Sequence, residues 1–496
     1  MKTELWGSYK LSSSAECAKK EIEKLVPDLN QSISSLGAEI KGWKIDKNLL
    51  RIRIISTRLR AHEALLRLRS PIGKALGKEY HLGIRETRVD DYTLTFSLEK
   101  EPLGVVSIPF ANVQIKGKEV RMSLKQLSRE FLEKNYIDRM IKLVREKVAK
   151  QHYKGKKEYW ELMWQSKQKS ERWNKDPTEE MLKLGWLKQG PTKGKWFFYP
   201  QVASIMSAME KIALEEVLEP LGFEEVIESH HVPLDIWLKT GHLKSIPGEI
   251  YYVSEPLTRK EQDWEDFTDM VKITHKVPEE LFKKHLDTPK SGVCYAQCPI
   301  IYWSLQNRTI AEESLPIRVF EKRAVSNRYE SGGRHGIERV DEFHRIEPVY
   351  IGTKSQLLEL RERLIERYRH VFEDLLELEW RRAWVTPFYM SQAGEVYEGE
   401  GEKVEGTIDF EAWMPYRGDR ENSEWLEFQN LSIVGERYIK VFNIKGQKSR
   451  LWSGCSGIGL ERWTAAFLAQ KTLDPENWPE GFKECLSKAP RGIKFL

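Results

Sequence analysis

Residues 319–347 read VFEKRAVSNRYESGGRHGIERVDEFHRIE. A strand-like run, Val319–Val325, leads into Asn327-Arg328-Tyr329-Glu330. A basic, glycine-rich loop follows from Ser331 to Gly336, and a second strand-like run, Glu347–Ile351, closes the stretch. Two extended halves joined by such a loop read as a charged β-hairpin. Outward from it, helical patterns over Val202–Leu218 and Lys354–Trp380 separate further strand-like runs such as Tyr438–Phe442. Residues 255–290 are highly charged, read as one or two helices, and look like an insertion. The expected architecture is α+β.

Three other segments of this part carry chemistry. Ser453-Gly-Cys-Ser-Gly-Ile-Gly-Leu-Glu-Arg462-Trp463 is a glycine-rich turn that leads into a helix with Arg462 in its first turn. Such glycines let the backbone approach a ligand closely. Trp-Leu-Glu427-Phe-Gln-Asn430-Leu-Ser is a strand with a carboxylate and an amide on it. Cys298 immediately precedes Pro299 and an apolar helical run, Ile300 to Leu305. Proline favours the first helical position, so Cys298 is expected at a helix N-terminus, which favours the thiolate, the metal-binding form.

Taken together, and in this order, these segments resemble the signature motifs of class II aminoacyl-tRNA synthetases. The helix Ser204 to Leu218, followed by Pro220-Leu-Gly-Phe-Glu-Glu, resembles motif 1, which builds the dimer interface in that family. The 319–347 stretch resembles motif 2 of seryl-type enzymes, and 453–463 resembles motif 3. The resemblance is specific to the atypical archaeal (type-2, zinc-dependent) seryl-tRNA synthetases, covers nearly the whole chain, and is densest from about residue 185 to 470.

The resemblance implies roles. Arg328 would neutralise the α-phosphate and the leaving pyrophosphate, Glu330 would help place the nucleotide, Phe343 would stack on adenine and Arg462 would cap the γ-phosphate. Arg339 and Val340 would lie beside the adenine, and Glu427 would hold the Mg²⁺ that accompanies ATP. The Ser331–Gly336 loop suits a tRNA acceptor end. The serine pocket would include Gln297 (mainly through its backbone), Arg328, Arg345, Asn430 and Gln392, the last in a loop that closes over serine. Cys298, Glu347 and Cys455 would meet at the floor of one cleft and hold one Zn²⁺, its fourth position open to the substrate amino group. Cys294, four residues before Cys298, is a competing ligand; the Cys-Pro context favours Cys298. Cys17 and Cys485 lie outside the motifs and are expected to be structural.

The front of the chain differs in texture. Residues 1–180 hold 37 Lys+Arg against 25 Asp+Glu, whereas 181–496 hold 43 against 50. A basic front suggests contact with a polyanion. Residues 49–56, LLRIRIIS, alternate so that Arg51 and Arg53 share one face of a half-buried strand. Arg58 and Arg60 follow closely. Tyr92–Leu98 and Val105–Ile115 read as strands; Ala15–Val26, Leu127–Val148 and the charged aromatic stretch up to about Arg172 read as helices. The expected organisation is a smaller α+β tRNA-binding domain over 1–165, a linker over 166–195 closed by Gly190, Pro191 and Gly194, and a class II catalytic domain over 196–496.

The five cysteines are too few for a disulfide framework and no apolar stretch is long enough for a membrane span, so the cytoplasm is the expected setting; the resemblance implies a homodimer whose catalytic domain is a mostly antiparallel sheet with flanking helices. The activity the resemblance implies is serine–tRNA ligation: ATP and serine give seryl-adenylate, and the seryl group passes to tRNA(Ser), or to tRNA(Sec) where it is present. Zinc would orient the substrate amine and favour its unprotonated form. Two other readings compete with this one. An amino acid ligase that charges a carrier protein would lack the basic front domain. A non-catalytic tRNA-binding paralogue would have lost Arg328, Arg462 or a zinc ligand, and all are present.

Overall fold

The computed structural model describes residues 1–35, 37–58, 60–152, 159–169, 173–329, 333–387, 390, 403–486 and 492–493. Glu330 and Gln392, the expected nucleotide and serine-loop residues, lie outside the described residues. The chain divides into two compact units, Met1–Lys156 and Lys157–Leu496.

The first unit is a six-stranded antiparallel sheet. Its order runs Ala38–Asp46, Leu49–Ser56, Lys2–Leu11, Ile84–Ser97, Glu119–Ser128, Asn112–Lys116. Alternation sends Leu50, Ile52 and Ile54 into a core shared with the helices Lys19–Ser34, Ala61–Tyr80 and Tyr136–His152, and leaves Arg51 and Arg53 on the other face. The helix expected over 127–148 is interrupted. The strand continues to Ser128, whose hydroxyl caps the short helix Arg129–Glu133, and Asn135, with φ of 56°, breaks the chain before Tyr136–His152 begins.

The second unit is built on an eight-stranded sheet. Its strands run Glu224–Glu225, Ile317–Glu321, Arg345–Gly352, Trp452–Gly459, Leu426–Gly435, Gly406–Ala412, Trp380–Val385, Trp160–Gln165. The first pair is parallel and the rest are antiparallel. The helices Pro200–Ile212, Lys354–His370 and Leu460–Lys471 bury their apolar residues against it, including Met209, Leu364 and Phe467. The helix Lys354–His370 starts where Thr353 and Gln356 form a reciprocal capping box.

Four expectations give way here. The stretch up to Arg172, expected to be helical, contains the strand Trp160–Gln165; it pairs with Trp380–Val385, so 157–165 belongs to the second unit rather than the first. Residues 166–195 are not a bare linker: they contain the helix Pro177–Lys183 and the strand Leu187–Gln189, which forms a hairpin with Trp196–Phe198 just beyond. Tyr438–Phe442 alternates like a strand but forms most of a short helix, Arg437–Val441, entered after Gly435 at φ 67°. The helical pattern that reaches Trp380 stops near Leu375, and Trp380 opens a strand. The insertion forms two short helices, Glu265–Thr274 and Glu279–Lys284, which bury none of their residues but clasp Trp264, Phe267 and Phe282 together.

Candidate active site and metal centre

The strands Arg345–Gly352 and Trp452–Gly459 lie side by side, with Val349 opposite Cys455. The short helix Cys298–Ser304 starts at Cys298, with Pro299 in its first turn as the sequence predicts. These elements bring Cys298, Glu347 and Cys455 together: all three are buried, and one ligand atom from each lies within 4.8 Å of the others. One Glu347 oxygen accepts from the Gln297 backbone N–H at 2.8 Å, and Arg345 Nε stands 3.5 Å from it. The other, Oε1, is buried without a hydrogen-bond partner. A buried carboxylate oxygen left bare beside two thiols fits a metal with sulfur and oxygen ligands. The Cys298 thiol is pushed well above its usual range, first by its hydrogen bond with Cys455, then by burial and by Glu347.

Cys294 is buried but points elsewhere: its Sγ lies 3.7 Å from Glu228 Oε1, and it is not in the three-residue group. Cys17 is exposed, which removes it from any core, and Cys485 is partly buried.

Above this floor opens a cavity of about 350 Å³ lined by Arg328, Val340, Phe343, Arg345, Glu347, Glu427, Asn430 and Arg462, among others. Most of the expected nucleotide and serine residues thus meet in one place. The Arg328 guanidinium lies over the rings of Tyr295 (5.6 Å) and Phe343 (5.3 Å). Arg462 donates to the Glu427 carboxylate at 3.1 Å, to the Glu427 carbonyl at 2.8 Å and to the Glu338 carbonyl at 3.1 Å. Burial raises the Glu427 pKa, but Arg462 and Arg328 outweigh it and hold the carboxyl below its ordinary range. Asn430 Oδ1 accepts from the Gly457 N–H at 3.0 Å. Gly457 leaves room for Arg345 to lie across the strand: a Cβ there would stand 2.4 Å from the Arg345 guanidinium and displace it. Gln297 is fully buried; its backbone serves Glu347 and its side-chain amide donates to the Ala324 carbonyl at 2.7 Å. Arg339 lies at the rim of a wider adjoining cleft, in an ion pair with Glu424.

Several supporting residues were not anticipated. Tyr295 donates to Glu249 at 2.8 Å, and the Glu249 carbonyl accepts from the Tyr329 N–H at 2.9 Å, so both steady the approach to Arg328. Neither carries a sequence signal. The fully buried Glu461, beside Arg462, accepts from the His344 backbone and from its ring at 2.7 Å, which ties motif 2 to motif 3. Glu338 accepts from Tyr416 (2.7 Å), Arg417 (3.0 Å) and His335 (2.6 Å). The hairpin at 187–198 props the motif 2 loop: the Asp341 N–H donates to Gly194 O at 2.8 Å and Trp196 Nε1 to Gly336 O at 2.8 Å. Gly194, at φ 78°, leaves no room for a Cβ, which would stand 2.8 Å from the Asp341 carboxyl carbon.

On the first unit, three of the four arginines expected to hold tRNA have carboxylate neighbours. Arg53 pairs with Glu4 at 2.6 Å, Arg60 with Asp138 at 2.6 Å, and Arg51 stands 3.8 Å from Asp90. Arg58 is exposed. Surface pairs of this kind contribute only about 0–1 kcal/mol and exchange readily for phosphate.

Comparisons with known proteins agree with one another. A family described as a tRNA-binding domain matches residues 1–146. A type-2 serine–tRNA ligase of Methanococcoides burtonii is 45% identical over 505 residues, covering 100% of both chains. One of Methanothrix thermoacetophila is 44% identical over 511 residues, again covering 100% of both. A solved structure of M. kandleri SerRS in complex with A. aeolicus tRNA(Sec) superposes with a TM-score of 0.87 at 28% identity, covering 99% of this chain and 98% of that one.

Proposed function

Because the chain belongs to the type-2 serine–tRNA ligases, ATP-dependent aminoacyl-tRNA synthetases of class II, we propose that it joins serine to tRNA at the 350 Å³ cavity, in two steps and with the help of a zinc ion. The observation that carries the zinc assignment is the meeting of Cys298, Glu347 and Cys455, of which Glu347 lines the cavity, with one Glu347 oxygen left bare. These three residues would hold Zn²⁺ with one position open, and the ion would supply a Lewis acid that binds the serine amino group.

The protein's own groups work by position and charge. Arg345, held against Glu347 and Gly457, and Asn430 flank the space above the metal ligands and would orient serine. Phe343 offers a ring to adenine. Arg328 and Arg462 would meet the ATP phosphates. As the serine carboxylate attacks the α-phosphate, a bond forms there and the bond to pyrophosphate breaks; the charge that shifts to the leaving oxygens falls to the two guanidiniums. Glu427, kept ionised by those arginines, would hold the Mg²⁺ of the nucleotide. A terminal ribose hydroxyl of tRNA then takes the seryl group and AMP leaves. The first unit would hold tRNA(Ser); the tRNA(Sec) in the complex of the M. kandleri relative supports acceptance of that tRNA too.

The same reading makes the enzyme a homodimer of the cytoplasm. No helix among the described residues is long and apolar enough to cross a membrane.

Two results test this. Deletion of 1–156, which respects the strand Trp160–Gln165, should leave serine-dependent pyrophosphate exchange intact but remove most tRNA charging. A truncated chain that charges tRNA normally would show that the front unit is not the tRNA grip. Cys294→Ala should keep both zinc and exchange, because its thiol faces Glu228; loss of zinc in that variant would move the metal site.

A further inference from the structure

On the first unit, the segment that joins the strands Ile84–Ser97 and Asn112–Lys116 runs beside the helix Tyr136–His152 and is tied to it. The backbone N–H groups of Leu103 and Gly104 both donate to Gln151 Oε1, at 2.7 and 3.0 Å, and Lys147 Nζ donates to the Ser107 carbonyl at 2.6 Å. The segment delivers Phe110, which is 76% exposed and has a φ of 67°. A large apolar ring in water gains nothing from burial, and left-handed backbone is unfavourable for a residue with a Cβ. The backbone conformation closes the tight turn between Ile108 and Ala111, but the exposed ring does not belong to the core of the unit.

The ring is nonetheless held in place. Phe110 meets Phe131 edge to face, with centroids 5.8 Å apart and planes at 69°; Phe131 meets Tyr136 at 4.9 Å and 76°. The Arg139 guanidinium stands 5.7 Å from the Tyr136 ring centre. Arg129 and Lys134 lie on the same short helical stretch, in exposed pairs with Glu133 and Glu130 that a phosphate could replace. A braced, exposed aromatic ring next to a helical stretch that carries cations is an arrangement by which proteins stack unpaired bases while the backbone phosphates pass over positive charge.

We propose that Phe110, braced by Phe131 and Tyr136, is a stacking site for an unpaired base of the bound tRNA. This rests on the reading of the chain as a tRNA ligase; all three residues lie within 1–146, the stretch matched by a tRNA-binding domain family. The surplus of Lys and Arg over the front of the chain gives the charge complementarity.

The test is binding of a tRNA(Ser) transcript to the full chain, measured across a range of salt. Phe110→Ala should weaken binding about tenfold, with the slope of affinity against salt unchanged, because a stacking contact and no phosphate contact is lost. Phe110→Trp should restore or tighten it. Thermal unfolding of both variants should match the parent. Unchanged affinity in Phe110→Ala, or a Phe110→Trp variant as weak as Phe110→Ala, overturns the stacking site alone, while tRNA binding by the parent keeps the ligase reading. No binding by the parent overturns both. Altered self-association with unchanged tRNA affinity would assign the patch, with exposed Leu103 and Val105 beside it, to a protein partner and also overturn the proposal.

Discussion

Arg328→Ala and Arg462→Ala are each expected to lower serine-dependent pyrophosphate exchange by about 10³-fold or more, the range over which a single arginine supports phosphoryl transfer. Arg328 reaches the cavity over the rings of Tyr295 and Phe343, and Arg462 reaches it from the first turn of the helix Leu460–Lys471. Both meet Glu427, so the two cations and the carboxylate form one charged group around the space a triphosphate would take. Neither arginine is in a core cluster, and Glu427 is itself partly exposed, so each variant should fold. Lysine at either position keeps the charge but not the planar two-pronged donor, and should recover only part of the loss. A folded Arg328→Ala chain that exchanges pyrophosphate at the parent rate would remove Arg328 from the reaction.

The second large effect concerns the metal. The purified chain should carry about one zinc, the stoichiometry of a single three-ligand centre. Cys298→Ala, Glu347→Ala and Cys455→Ala should each lose the metal and the exchange activity together. The three ligand atoms converge within 4.8 Å from a helix N-terminus and two neighbouring strands, so removal of any one leaves two, too few for a tight site. Metal analysis and exchange are read on the same samples. Full zinc in the Cys298→Ala chain, or full activity in a zinc-free one, contradicts the assignment.

Much of the candidate site's grouping could be read from residue order because its residues sit in short, dense segments. Arg328, Phe343, Arg345 and Glu347 fall within twenty residues, and Cys455 and Arg462 within eight. The Cys-Pro step placed Cys298 at a helix start by simple backbone chemistry. The supports were harder to foresee. Glu249 and Tyr295 meet across an insertion, and nothing local marks either. The Trp160–Gln165 strand is charged and aromatic; only its pairing with Trp380–Val385 makes it a strand. Gly190, Pro191 and Gly194 looked like the end of a linker, whereas they turn a hairpin whose Gly194 carbonyl holds the motif 2 loop. On the first unit, alternation placed Arg51 and Arg53 on one face, but it could not show that Glu4 and Asp90, from other strands, stand beside them.

The most direct test of the account is pyrophosphate exchange by the zinc-loaded, full-length enzyme with each of the twenty amino acids in turn. A zinc held by Cys298, Glu347 and Cys455 would require a free α-amino group on the substrate. Serine alone should support strong exchange. Strong exchange with another amino acid, and none with serine, would contradict it.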